Sequence, residues 1–227
     1  MFVSKEGYLK KITPQSLRMS GEQKFKEGDS LSFSVETTNK AELLVFTNMA
    51  QCYKTRLSDF EDSKASLLGD YLPQKLGMDP EERVLSVLLP GDYKGFVLFF
   101  FENGKAAKVP LSAYETKTNR RRLTGAYSDK SPLVKAMVLN EDVQMVAYTT
   151  DNRALIFSTA LLLPKTTRNT QGVAVVCLKK KAALSDVSVL DSSGIANPSR
   201  YRSKNIPAAG ALLKEEDSPE KQISLDI

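Results

Sequence analysis

The sequence predicts an all-β fold, a propeller-like array of about four blades followed by a disordered acidic C-terminal tail. Three observations predict it. A strand–turn–strand pattern occurs four times, its turns are separated by about 43, 54 and 49 residues, and an apolar β-type run follows each hairpin. Periods of this size belong to blade architectures, in which each repeat is a small sheet that buries its faces only against its neighbours.

The first hairpin covers residues 2–12 and turns at Lys5-Glu6-Gly7, and residues 31–35 offer it a further strand. The second covers 44–55, turns at Asn48-Met49-Ala50 and is followed by the run 84–89. The third covers 97–109 with a turn at Glu102-Asn103-Gly104 and the run 133–139 behind it. The fourth covers 145–157, turns at Asp151-Asn152-Arg153 and is followed by 173–178. Gly and Asn tolerate the positive φ that tight hairpin turns require, and Gly7, Ala50, Gly104 and Arg153 align as equivalents. Similar exits follow each hairpin at Gln15-Ser16-Leu17, Ser58-Asp59-Phe60, Ser112-Ala113-Tyr114 and residues 160–163. Four strands per blade result, with the first or last blade completed by strand exchange. Residues 200–207 and 208–213 are read as returning to the last blade. From Lys214 the chain offers too little apolar area to offset the entropy of ordering, so the domain is taken as 1–213 and the tail as 214–227.

Composition narrows the function. With 41% hydrophobic and 26% charged residues the chain is an ordinary globular one rather than disordered or fibrous. It contains no apolar run long enough for a membrane helix, and its first residues lack the apolar stretch of a signal peptide, so a cytoplasmic, nucleoid-associated location and no membrane partner are expected. Cys52 and Cys177 each sit in an apolar strand-like run and are read as small hydrophobes rather than disulfide or metal partners. No histidine is present, which excludes Ser-His-Asp triads, Cys-His pairs and His-ligated zinc, and removes the commonest general acid and base. The carboxylates Asp59, Glu61, Asp62, Glu81 and Glu82 are read as charged loops, no catalysis is assigned to the chain itself, and no cofactor is expected.

The 32 basic and 27 acidic residues give a net +5. Residues 214–227 hold two lysines and five acids, so the preceding body carries +8. A basic body masked by an acidic tail points to a polyanionic partner.

Three strings carry a family resemblance: Val45-Phe46-Thr47-Asn48 with Cys52-Tyr53-Lys54; Phe99-Phe-Phe-Glu-Asn-Gly-Lys-Ala-Ala-Lys-Val-Pro-Leu-Ser112; and Lys165-Thr-Thr-Arg-Asn-Thr-Gln-Gly-Val173. They resemble the blades of the C-terminal domain of the bacterial type IIA topoisomerase A subunit, of the DNA gyrase or topoisomerase IV kind, over roughly residues 2–189. The resemblance implies a β-pinwheel that binds and bends duplex DNA around a basic rim without sequence specificity. It also implies partnership with the ATPase subunit of the topoisomerase, besides the catalytic region of the A subunit itself. That family's DNA-cleaving tyrosine and its metal- and ATP-binding parts belong to other domains or subunits, and none is recognisable here. Gyrase members carry a Gln-Arg-Arg-Gly-Gly-x-Gly box. The nearest candidate, Thr118-Asn-Arg-Arg-Arg-Leu-Thr-Gly125, keeps the arginines and one glycine but lacks the paired glycines, and the first-blade stretch from Arg18 to Gly28 carries only scattered ones. The departure favours a topoisomerase IV-like or divergent member. The alternative is a propeller-like protein-interaction scaffold, which would bind through an apolar patch and tolerate salt.

Phosphate recognition needs many spaced cations rather than a pocket, because each neutralised phosphate releases counterions. The leading cluster is Lys117, Arg120, Arg121 and Arg122. Lys165 and Arg168 occupy the matching stretch of the last repeat, and Arg18, Lys24 and Lys26 that of the first. Lys10, Lys11, Lys54, Arg56, Lys105 and Lys108 recur near the second strands of the hairpins. The run Lys179-Lys180-Lys181 is read either as a strand's exit to solvent or as a further phosphate contact, and Tyr114 and Tyr127 stay unassigned. The apolar run 96–101 is read as core rather than as a base-stacking surface. The acids Glu215, Glu216 and Asp217 are expected to compete with DNA for the basic rim.

Overall fold

The computed structural model describes residues 1–116 and 121–217, so Lys117 and Arg120 lie outside the described residues. The first hairpin pairs β1 (Phe2–Ser4) with β2 (Tyr8–Lys10); the chain leaves through the short helix α1 (Pro14–Arg18) and β3 (Leu31–Ser34) then pairs with β1. The second hairpin joins β4 (Glu42–Thr47) to β5 (Cys52–Arg56), but the next strand, β6 (Asp70–Tyr71), pairs with β2 of the first sheet. Helix α2 (Leu72–Lys75) follows, and β7 (Val84–Leu88) pairs with β4. The third hairpin joins β8 (Phe96–Phe101) to β9 (Lys105–Pro110); β10 (Arg122–Leu123) then pairs with β5, and β11 (Leu133–Leu139) with β8. The fourth joins β12 (Gln144–Thr149) to β13 (Arg153–Ser158), after which β14 (Val173–Ala174) pairs with β9 and β15 (Leu184–Val189) with β12. Finally β16 (Ala211–Leu212) pairs with β13.

Four antiparallel sheets of four strands result, as the repeat predicts. Strand exchange is more general than expected: β6, β10 and β14 each complete the sheet before their own hairpin. Two further expectations are corrected. The third strand of the fourth sheet is β15, not the run 173–178, whose first two residues are the exchanged strand β14. The positive-φ residue of the fourth turn is Asn152, one position before Arg153, and its equivalents are Gly7, Ala50 and Gly104.

By contact the chain forms two compact units, Met1–Tyr93 with Glu115–Ala126, and Lys94–Tyr114 with the chain from Tyr127 onward. The first holds the sheets built on β4–β5 and β1–β2. Val3 and Leu9 of one pack with Leu43, Val45, Tyr53 and Val87 of the other, and Leu57, Phe60 and Leu72 seal the cluster. In the second unit Leu98, Phe100 and Ala106 pack with Met145, Ala147, Leu155 and Phe157. Alternate residues of β12 and β13, Val146, Tyr148, Ala154 and Ile156, face a second cluster completed by Ile195 and Tyr201. Strands β4, β8 and β12 are therefore apolar on both faces, which is why they read as continuous hydrophobic runs. The run Phe96–Phe101 is core as expected: Phe99 stacks on Tyr127 at 5.6 Å and meets Tyr114 at 6.3 Å, and both tyrosines are buried.

Cys52 is buried in β5, whereas Cys177 is exposed, because the apolar run around it leaves the sheet after Ala174. The ordered chain also extends past residue 213. Glu215–Asp217 form one 3-10 turn, and Asp217 is fully buried, accepting the Ala196 N–H at 2.7 Å and the Tyr201 hydroxyl at 2.6 Å. Those bonds satisfy a carboxylate that composition alone assigns to a solvated tail. Residues 218–227 lie outside the described residues. Among the described residues no helix is long and apolar enough to cross a membrane.

Three of the four strands that complete the sheets, the exchanged β6 and β14 and the local β16, are preceded by a positive-φ glycine pressed against the neighbouring strand: Gly69, Gly172 and Gly210. A β-carbon on Gly172 would sit 1.8 Å from the Ala106 carbonyl oxygen, on a backbone at φ +68°. Gly172→Ala is expected to destabilise the second unit by about 2–4 kcal/mol, since left-handed strain adds to a clash with backbone. Urea unfolding of the variant checks this; an unchanged midpoint would mean that β14 contributes nothing to that sheet.

Candidate nucleic-acid interface

A cation on a blade reaches solvent only if no neighbouring segment covers it, and two lysines of the hairpin second strands, Lys10 and Lys108, are covered. Lys10, 2% exposed, donates to Gln23 Oε1 at 3.3 Å, to the Ala65 carbonyl at 3.1 Å and to the Lys24 carbonyl, with its ammonium over the Phe25 ring. Burial pulls its pKa below the usual lysine range. Lys108, 6% exposed, sits 2.7 Å from Asp142 Oδ1 and 4.7 Å above the Phe96 ring. Both ammoniums belong to the interior: Lys10 is enclosed by residues 23–25 and Ala65, and Lys108 by Phe96, Asp142 and Thr159. Their hydrogen bonds and ring contacts are what make a buried ammonium tolerable.

The other predicted cations divide by partner. Lys26 pairs with Glu6 at 2.8 Å, an exposed bond that holds the ammonium pKa up, and Arg56 pairs with Glu42 at 3.5 Å. Lys11 pairs with Asp62 at 3.0 Å. Lys105 donates to Gln171 Oε1 at 3.2 Å, and Arg168 donates to the Ala113 carbonyl at 3.1 Å while lying over the Tyr114 ring. Lys54, half-buried, donates to Thr116 Oγ1 at 3.1 Å and lies 5.0 Å from the Tyr93 ring centroid. Arg18, Lys24 and Arg121 are exposed and Lys165 is half-buried, and through their side chains these four make no hydrogen bond or ion pair among the described residues. Lys179, Lys180 and Lys181 are all exposed, with Lys181 in a positive-φ turn. Of the predicted groups, Lys54 and Arg121 are brought to one cavity in the first unit.

Within the arginine cluster, Arg122 and Arg121 have different surroundings. Arg122 enters β10, where its guanidinium pairs with Asp79 at 2.8 Å, approaches Glu82 at 3.9 Å and covers the Tyr53 ring. Glu82 has a fully buried side chain. Burial alone would raise its pKa; hydrogen bonds from the Tyr53 hydroxyl at 2.6 Å, the Asp79 N–H at 3.0 Å and the Thr47 hydroxyl at 2.8 Å, with the Arg122 charge, outweigh that and hold it below the usual range. Burial and the same contact push the Tyr53 hydroxyl far up. Arg122 therefore stabilises a buried carboxylate. Its neighbour Arg121 stays exposed.

No family model matches the sequence. The chain is 26% identical over 162 residues to the DNA topoisomerase 4 A subunit of Staphylococcus epidermidis, a match spanning 69% of this chain and 20% of that protein. It is 20% identical over 210 residues to a probable chloroplastic/mitochondrial DNA gyrase A subunit of Oryza sativa subsp. japonica, covering 88% of this chain and 22% of the relative. The chain thus spans about a fifth of the length of the curated relatives it matches. Its fold is that of the crystallised C-terminal domain of DNA topoisomerase IV, with a TM-score of 0.79, 20% identity and coverage of 93% of this chain and 71% of that one. The relatives are the A subunits of topoisomerase IV and gyrase, and the structural neighbours are C-terminal domains of these enzymes.

The Glu82 cluster has a pH signature. A carboxylate whose folded pKa is depressed contributes stability that is present above its unfolded pKa and lost as pH falls through the folded one. Glu82→Gln is expected to cost about 1–3 kcal/mol at neutral pH, because an amide cannot accept all of those donors, and to flatten the acid limb of the stability profile. Denaturant midpoints of wild type and variant across the acid range check both; parallel profiles would remove Glu82 from the account.

Proposed function

We propose that this chain binds and bends duplex DNA without sequence specificity, as the accessory C-terminal domain of a type IIA topoisomerase of the topoisomerase IV kind. The observation that carries the reading is the fold likeness across 93% of the chain to the C-terminal domain of DNA topoisomerase IV. Exposed cations support it: Arg18, Lys24 and Arg121 hold no ion pair among the described residues, so a phosphate meets them without displacing a carboxylate. Such a domain works in the cytoplasm at the nucleoid, presents DNA to the catalytic region of the A subunit, and operates beside the ATPase subunit. It does no bond chemistry itself; its part is to select and orient a DNA segment through shape and deformability rather than base contacts. The absence of paired glycines in residues 118–125 supports bending in place of gyrase-style full wrapping.

The test is binding to a duplex of about 40 base pairs over a salt series, with Arg18, Lys24 and Arg121 replaced together by Ala. If each contacts a phosphate, the slope of log affinity against log salt becomes shallower by about 3, and binding at low salt weakens at least tenfold. Lys108→Met serves as the comparison, because its ammonium is buried and the slope should stay at the wild-type value. Salt-independent binding, or none at low salt, would instead favour a protein-interaction scaffold.

A further inference from the structure

In the first unit, Tyr53, Lys54, Thr55, Asp59, Lys75, Leu76 and Arg121 line one cavity of about 280 Å³. Its cations come from three separate stretches of chain. Lys54 stands on β5, Lys75 ends α2, and Arg121 directly precedes β10. Strand exchange assembles them, since α2 directly follows β6, the strand that returned to the first sheet, and Arg121 arrives with the strand returning to the second. Nothing in the sequence signals this convergence.

The three cations differ from the paired ones elsewhere in this chain. Lys26, Lys108 and Arg122 each hold a carboxylate at 2.7–2.8 Å. In the cavity Lys54 has the neutral Thr116 hydroxyl, Lys75 has Asp70 only at 3.7 Å, and the Arg121 side chain has no hydrogen bond or ion pair among the described residues. Among the described residues the one carboxylate of the lining is Asp59. Its Oδ2 is already engaged by the Arg56 N–H at 3.1 Å and the Thr55 hydroxyl at 3.0 Å, bonds that keep it ionised. Three cations against one engaged carboxylate leave the lining at a net +2, which suits a dianion or a monoanion with several acceptor oxygens. A planar guanidinium beside two ammoniums matches a phosphoryl group, with donors for each of its oxygens. The volume lies just under the roughly 300 Å³ at which drug-sized ligand pockets begin, so it accommodates a phosphate with part of its sugar rather than a larger ligand.

We propose that this cavity is a phosphoryl-binding pocket in which Lys54, Lys75 and Arg121 hold one phosphate group. Lys75 is a residue that the sequence did not single out. As a contact to a DNA backbone phosphate the pocket rests on the DNA-binding reading; as a phosphate site it stands alone, and free phosphate carries the same chemistry.

The test uses the whole chain. Inorganic phosphate is titrated at constant ionic strength against chloride while the backbone amide resonances of residues 53–55, 59, 75, 76 and 121 are followed, and duplex binding is measured in parallel. Saturable shifts confined to those residues are expected. Lys75→Ala and Arg121→Ala should each weaken phosphate binding by about five- to tenfold, while Lys75→Arg keeps it and Lys130→Ala, at an exposed lysine of the second unit, leaves it unchanged. Duplex affinity at low salt should fall in Lys75→Ala as well. Should phosphate move these resonances no more than chloride does, or should both alanine variants bind it as wild type does, the pocket is overturned, even where duplex binding is intact. Lysine-dependent phosphate binding without any duplex binding would leave the pocket in place with free phosphate as its ligand, and would overturn the DNA-binding reading instead.

Discussion

A two-stranded hairpin leaves a row of unpaired N–H and C=O groups along each outer edge, and these must find partners inside a fold or remain in water. Here the edge of each first hairpin strand is met locally: β3, β7, β11 and β15 pair with β1, β4, β8 and β12. The edge of the second strand is not. For β2, β5 and β9 the missing partner comes from chain that has already built the next hairpin, and only β13 is completed by the segment that follows its own. No sheet but the last is finished until its successor exists. Within each unit the repeats are therefore linked by hydrogen bonds as well as by the packing of their apolar faces, and Glu115–Ala126, which follows the third hairpin, belongs to the first unit because β10 pairs with β5.

Connecting segments decide which charges of the hairpins reach solvent. They enclose Lys10 and Lys108, whereas Lys54 and Lys105 on the same kind of strand stay half-buried. Lys10 meets the carbonyls of Lys24 and Ala65, and Lys108 meets Asp142 and the Thr159 carbonyl. In the connections Arg18, Lys24 and Arg121 stay exposed. Packing of the connecting segments thus sorts lysines and arginines into structural and presented groups before any ligand is considered.

The four hairpins were legible because period-two alternation, doubly buried runs and turn residues all agree on them. The all-β class and the number of sheets followed. The exchanged strands were not legible: each is two residues long, too short to show any periodicity, so residues 173–178 read as a third strand of the fourth sheet rather than as β14. A weaker signal was present in Gly69, Gly172 and Gly210, each directly before the strand that completes a sheet and each placed so that a β-carbon would strike a carbonyl of the neighbour. At the candidate site the sequence displayed charge but not partners. That is why Lys108 and Arg18 looked alike, and why Lys75, on a helix of four residues, drew no notice. Asp217 failed for a related reason: composition places an acid in solvent, and only the Tyr201 hydroxyl and the Ala196 N–H explain its burial.

The second sheet shows how the two kinds of constraint trade places. Register equates Asp70, Leu123, Val173 and Ala211, which face Leu9, Cys52, Ala106 and Ala154 across their ladders. The residue before each is therefore Gly69, Arg122, Gly172 and Gly210. In three sheets a left-handed glycine lets the chain press onto its neighbour, a geometry that any side chain would disrupt. In the second sheet the backbone stays in the ordinary region, Arg122 pairs with Tyr53 one step earlier, and its guanidinium ties the strand to Asp79 and Glu82. Side-chain chemistry there supplies an anchorage that close backbone approach supplies elsewhere. An arginine-rich stretch on this fold is thus two things at once: Arg122 holds the sheet together, and Arg121, one residue earlier, stays exposed with a side chain outside the Asp79 and Glu82 ion pairs.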